Sequence, residues 1–177
     1  NFLPPANPTQ QLFEKDTLLH GETFGEYILK SGRNVLGEPT TVLARREDIG
    51  THFGRYFGQQ FVVLADVATW LEVLAKKKDC VYIADALSYF RIHPGQDQKN
   101  SHMKVHATID WFRLFMTSHK HNVFIRDRAA YHEMLAGKLS ALTQYITTHH
   151  ADLRTDVYKQ QEIHQLVSDA VLELLTP

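Results

Sequence analysis

Residues 62–74 read VVLADVATWLEVL. Val67, Trp70, Leu71 and Leu74 recur at i, i+3, i+4 and i+7, which places all four on one side of an α-helix. Lys76, Lys77 and Lys78 follow and complement the negative end of the helix dipole, so the spacing predicts a helix over 66–76. Asp66, at the head of that helix, admits two readings. Asp is a favoured N-cap, worth about 1 kcal/mol. A carboxylate there is also held ionised near neutral pH by amide N–H groups and the dipole, and an ionised carboxylate can accept a proton.

Working outward, Pro4, Pro5 and Pro8 give an extended entry segment. Residues 11–31 read as helical, with Phe24, Tyr27, Ile28 and Leu29 on the apolar face and Gly32 as the stop. EPTTVLARR (38–46) reads as a strand, with Pro39 at its start and Thr41, Val42 and Leu43 as strand formers. REDIG (46–50) is a short helical or turn segment. THFGRYFGQQ (51–60), aromatic and with two glycines, suits a packed loop. FVVL (61–64) fits either a short strand or an apolar approach to the next helix. CVYIAD (80–85) and ALSYFRIH (86–93) read as two short β segments, followed by the polar loop PGQDQKN.

Beyond residue 100 the pattern changes. Three helical stripes follow: Val105, Ile109, Phe112, Met116; then Tyr131, Leu135, Leu139, Leu142, Ile146; then Ile163, Leu166, Val167, Ala170, Val171, Leu174. They predict a helical extension of about three helices over 101–177, without repeats or a sustained heptad. The fold class expected is α/β, or mostly α with a few short strands, divided into 1–100 and 101–177.

The 177 residues suffice for a real core, and the hydrophobic and charged contents of 44% and 22% are those of a globular chain. A net charge of −1 gives no reason to expect nucleic acid as a partner. A single cysteine, Cys80, excludes an internal disulfide and a multi-cysteine zinc site, and points to a reducing compartment. No apolar run approaches the ~20 residues that span a bilayer. Phosphate-loop, dinucleotide-loop, nucleophile-elbow and HExxH motifs are absent. Among eleven histidines, His102 and His106 share a helical face, and His149 and His150 diverge. None has a converging third ligand, so these read as surface histidines.

Three segments in order carry a more specific signal: SGRNVLGEPTTVLARRED (31–48), ADVATWLEVL (65–74) and CVYIADALSYFRIHPGQ (80–96). Together they resemble the C-terminal half of a bacterial family 2 glycosyltransferase with the GT-A fold. Such enzymes show an N-[VFI]-[IL]-G-E-P stretch leading to an arginine-ended strand, an acid four residues before WL, and a segment ending in R-x-H. The resemblance spans residues 11–98. It implies that Asp66 is the general base of an inverting transfer, although many members carry a second acid where this chain has Ala68. It implies that Arg91 and His93 lie near the donor diphosphate, with His93 within reach of the metal, and that Glu38 and Arg45 support the acceptor side. Trp70 also matches, and core packing explains it.

The same resemblance implies an N-terminal half that binds the nucleotide and carries a D-x-D metal motif. This sequence contains no D-x-D, so the expectation is a C-terminal portion of a longer enzyme, inactive alone. The donor implied is a nucleoside-diphosphate sugar and the acceptor a glycan or lipid-linked saccharide. Mg²⁺ or Mn²⁺ belongs to the full-length enzyme, with no cofactor expected in this portion. The location implied is cytoplasmic, peripheral at the inner face of the membrane. A reading from a different class is a non-catalytic interaction module, in which the helices beyond 101 bind a partner or self-associate.

Overall fold

The computed structural model describes residues 12–88, 101–148 and 157–176, with only the backbone of 101, 102 and 157–159. The chain is mostly helical with a few short strands. It divides into two compact units, Asn1–Gln96 and Asp97–Pro177.

The first unit contains β1 (Thr17–Leu19), α1 (Gly21–Ser31), a 3-10 turn (Pro39–Thr41), α2 (Arg46–Ile49), β2 (Arg55–Tyr56), β3 (Gln59–Gln60), α3 (Ala65–Ala75) and β4 (Cys80–Tyr82). β1 pairs antiparallel with β4, with Leu18 opposite Val81. The expected helix over 11–31 is thus shorter: 17–19 are taken by β4, and α1 begins at Gly21. Phe24, Ile28 and Leu29 of its predicted face are buried, whereas Tyr27 is half exposed. Gly32 ends it in the left-handed region (φ 61°), its N–H bonded to the Ile28 carbonyl at 3.0 Å, as the sequence indicates.

The strand expected in EPTTVLARR does not form. Pro39 starts a 3-10 turn instead, and Glu38 C=O accepts both the Thr41 N–H (2.9 Å) and its hydroxyl (2.8 Å). These local bonds close the turn before any ladder can start. The chain is extended at Val42, Leu43 is fully exposed, and residues 42–45 join no sheet among the described residues. REDIG does form the short α2, ended by Gly50.

Within the segment read as a loop lies a hairpin. β2 and β3 pair through Arg55–Gln60 and Tyr56–Gln59. Phe57 (φ 45°) and Gly58 (φ 80°) form a two-residue turn with both φ positive, the turn type whose twist suits a hairpin. Phenylalanine is disfavoured at positive φ. Its N–H is held by Glu72 Oε2 of α3 at 2.9 Å, and its ring meets Tyr56 edge-on at 4.8 Å. FVVL is the apolar approach to α3, not a strand.

α3 buries the predicted stripe of Val67, Trp70, Leu71 and Leu74. α1, α2 and the hairpin pack around it. The core of this unit is completed by Val35, Tyr56, Phe61 and Leu64. The segment CVYIAD supplies β4 as expected. Residues 86–88 are not strand, and the rest of the second expected β segment lies outside the described residues, as do the proline-rich entry and the polar loop 94–100.

The second unit contains α4 (Ser101–Lys120), α5 (Arg128–Thr148) and α6 (Val157–Leu175), the three helices expected. α5 packs against both α4 and α6. Val105, Ile109 and Phe112 are buried with Tyr131, Leu135, Leu142, Ile163, Leu166 and Ala170. Met116, Leu139 and Ile146 lie at the edge of that core. Tyr131 is stacked between Phe115 and His119, and its hydroxyl donates to Glu173 of α6. No helix among the described residues is long and apolar enough to cross a membrane.

Candidate functional site

The site is built at the first turn of α3. The helix ladder starts one residue earlier than the sequence suggests: Ala68 N–H bonds to the Leu64 carbonyl at 2.9 Å. Leu64 therefore occupies the N-cap, and Asp66 is the second residue of the helix. The capping reading of Asp66 is thereby corrected. Its Oδ1 accepts the neighbouring Val67 N–H at 2.8 Å, not the amides two or three positions on that an N-cap serves.

Asp66 Oδ2 accepts a hydrogen bond from Asn34 Nδ2 at 2.9 Å. Asn34 belongs to the segment between α1 and the 3-10 turn, and its amide is also tied to Gly37. Gly37 N–H donates to Asn34 Oδ1 at 3.1 Å, and Asn34 Nδ2 donates to Gly37 O at 3.3 Å. Gly37 has φ 97°, and a Cβ there would collide with the Thr41 hydroxyl. Both its conformation and the space around it call for glycine. The NVLGEP stretch thus forms a bracket whose asparagine reaches α3.

The carboxyl of Asp66 is half-buried, and its pKa is raised above the ordinary carboxylate value of 3.8. Burial is the largest cause; the Val67 amide, its own amide and Asn34 act in the opposite direction without cancelling it. The amides and helix dipole, which alone would keep the carboxylate ionised, are outweighed by desolvation, which corrects the direction expected from the sequence. Two N–H donors hold the carboxylate, Val67 on Oδ1 and Asn34 on Oδ2.

The remaining candidates are placed unevenly. Glu38 follows Gly37 in the bracket and is half-buried, and its carbonyl is taken up by Thr41. Arg45 precedes α2, is exposed, and faces Glu47 at 3.9 Å. With Arg46, Glu47, Gly50 and Thr51 it lines an open depression of about 630 Å³ that does not include Asp66. Arg91 and His93 lie outside the described residues, as do His149, His150 and the side chain of His102. Among the described residues no three His, Cys, Asp or Glu side chains are grouped to hold a metal ion.

Asn34 is the residue that reading the sequence missed. It sat inside a matched segment, but nothing in its spacing shows that it reaches a carboxylate 32 residues away. Trp70 is buried, and its indole Nε1 has no hydrogen-bond partner among the described residues, while its ring meets Phe53 edge-on at 6.2 Å. Comparison of the chain with family models, with curated proteins and with solved structures finds no match in any of the three.

Proposed function

We propose that this chain is the acceptor-side part of an inverting GT-A glycosyltransferase, with Asp66 as its general base and a helical extension beyond residue 100. The observation that carries the reading is the state of Asp66: a half-buried carboxylate at the first turn of α3, held at both oxygens and with a raised pKa. A base gains proton affinity as its pKa rises, while remaining useful only if it is still ionised at the working pH.

In the reaction, an acceptor hydroxyl gives its proton to Asp66 as its oxygen attacks the anomeric carbon of a nucleoside-diphosphate sugar. The bond from that carbon to the diphosphate breaks, and the diphosphate leaves with the electron pair on the opposite face. The configuration at the carbon inverts. The donor, the Mg²⁺ or Mn²⁺ that offsets diphosphate charge, and the D-x-D motif belong to an N-terminal half. Arg91 and His93 are assigned to the donor side by sequence resemblance, and Glu38 and Arg45 to the acceptor side. The acceptor class is a glycan or lipid-linked saccharide, and the location that suits it is the cytoplasmic face of the membrane.

The test is Asp66→Asn in the protein carrying its donor-binding half, assayed with nucleoside-diphosphate hexoses. Turnover is expected to fall by about 10²- to 10⁴-fold, with donor affinity unchanged. Turnover near that of the unmodified protein overturns the assignment.

A second reading, an interaction module, is favoured by Val171, Leu172 and Leu175, which are 38%, 60% and 75% exposed on α6. A strictly monomeric chain by light scattering across a wide concentration range would count against self-association.

A further inference from the structure

We propose that Asn34 is a positioning residue for Asp66, its side-chain amide fixing the rotamer of the carboxylate and holding one oxygen in place. The proposal rests on the reading of Asp66 as a base. It begins from the fact that both ends of the Asn34 amide are committed. Oδ1 accepts Gly37 N–H at 3.1 Å, and Nδ2 serves Gly37 O at 3.3 Å and Asp66 Oδ2 at 2.9 Å. A flipped amide would set an acceptor against a carboxylate oxygen and a donor against the Gly37 N–H, so all three contacts select one orientation.

A purely local role does not account for this arrangement. An asparagine that only closes a turn needs its oxygen on the amide further along, as the Gly37 contact provides. The contact to Asp66 spans 32 residues and adds nothing to that turn. The bracket also has its own support, since Thr41 closes onto the Glu38 carbonyl through both backbone and hydroxyl. Asn34 thus presents an N–H from a stiff loop. Val67 holds Oδ1 from α3 itself. Rotation of the carboxylate would break one grip or the other, and a displacement of about 1 Å in a catalytic group can cost about a hundredfold in rate.

Burial and N–H donors act on this carboxyl, and no charged side chain is among the causes of its shift. Several charged groups on the elements packed against α3 have partners of their own. Glu26 of α1 pairs with Lys30, Asp48 of α2 with Lys78, and Glu47 of α2 with Arg45. Glu72 of α3 takes the Phe57 N–H. The Asn34 donor is therefore the side-chain contact through which the proton affinity of Asp66 can be tuned.

The experiment follows Asp66 by carboxyl ¹³C NMR and the Asn34 side-chain amide by ¹⁵N–¹H NMR, both across pH, on the 177-residue chain. In the unmodified chain, the Asn34 amide proton should shift with the same midpoint as the Asp66 carboxyl. Asn34→Ala, which removes a donor to the ionised form, should raise the Asp66 midpoint. Asn34→Asp keeps the shape and an acceptor for Gly37 but adds a like charge, and should raise the midpoint further. A role limited to folding would not produce that order, because the closer mimic gives the larger shift. An Asn34 amide that stays flat while Asp66 titrates overturns the proposal, and this measurement needs no variant. An Asp66 midpoint unmoved in both folded variants overturns it as well. The readout is proton occupancy, not turnover, so an active Asp66→Asn enzyme would remove the base while leaving the positioning result intact.

Discussion

The backbone N–H of Gly21 donates to Asp79 Oδ1 at 2.9 Å, joining the first residue of α1 to the residue before β4, 58 positions away. His20, the residue at the N-cap itself, supplies no side-chain cap. The orphan amide at the start of α1 is instead satisfied from across the sheet, and His20 Nδ1 lies 3.4 Å from the other Asp79 oxygen. The bond places the negative charge at the positive end of the helix.

Asp79→Ala should therefore lower the melting temperature near neutral pH. The Gly21 amide is the main cause holding the Asp79 carboxyl below its ordinary value of 3.8. A depressed folded pKa means that the stabilisation is present above 3.8 and is lost as pH falls through the lower folded value. The difference between the two proteins should shrink over that acidic window in parallel melts. A difference that stays constant down to strong acid would show that the cap does not act through charge.

Gly21→Ala tests the same junction by space. A Cβ at Gly21 would collide with the Lys78 carbonyl oxygen and lie 3.2 Å from Leu74 Cδ2. Backbone cannot rotate aside as a side chain can, so the expected cost is about 1–3 kcal/mol. Gly32→Ala meets nothing within 4 Å and is disfavoured only by its φ of 61°, at about 1 kcal/mol. Urea unfolding should rank Gly21→Ala as the more damaging of the two, and the reverse order would contradict the packing argument.

Thr69 anchors the hairpin to α3. Its hydroxyl accepts the buried Gly54 N–H at 2.7 Å and donates to the Ala65 carbonyl at 2.8 Å. Thr69→Val keeps the shape and strands the Gly54 N–H, which should cost about 1–3 kcal/mol. Thr69→Ser should recover most of this. Amide hydrogen exchange at Gly54 would report the lost acceptor directly; protection unchanged in the valine variant would count against the bond.

In the second unit, Tyr131→Phe removes the hydroxyl that bonds Glu173 and should cost about 1.5–3 kcal/mol. Burial first, and Glu173 second, push the Tyr131 phenol above its ordinary value of 10.0. A raised folded pKa gives stability that is fully present below 10.0 and is lost as pH rises toward the folded value. The unmodified chain should thus lose stability more steeply than Tyr131→Phe in alkali, as followed by unfolding midpoints above that pH.

Much of the helical part was legible from the residues alone. The apolar spacing at 67, 70, 71 and 74 gave α3, and the three stripes beyond residue 100 gave α4, α5 and α6, because helical periodicity is a local property that burial then uses. The strands were less so. β1 lies in a stretch that reads as helix and becomes strand only because Cys80–Tyr82 pairs with it. Thr41 and Val42 are strand formers that pair with no strand among the described residues, because the Glu38 carbonyl closes the turn first.

For Asp66, the sequence determined that a carboxylate stands at the head of an amphipathic helix. Tertiary structure decided its environment. Leu64 rather than Asp66 caps the ladder, burial raises the carboxyl's proton affinity where amides and dipole alone would lower it, and Asn34 arrives from 32 residues away to hold one oxygen. Spacing along a chain encodes which residues share a helix face. It does not encode desolvation or a hydrogen bond between distant segments, because both exist only once the segments are packed.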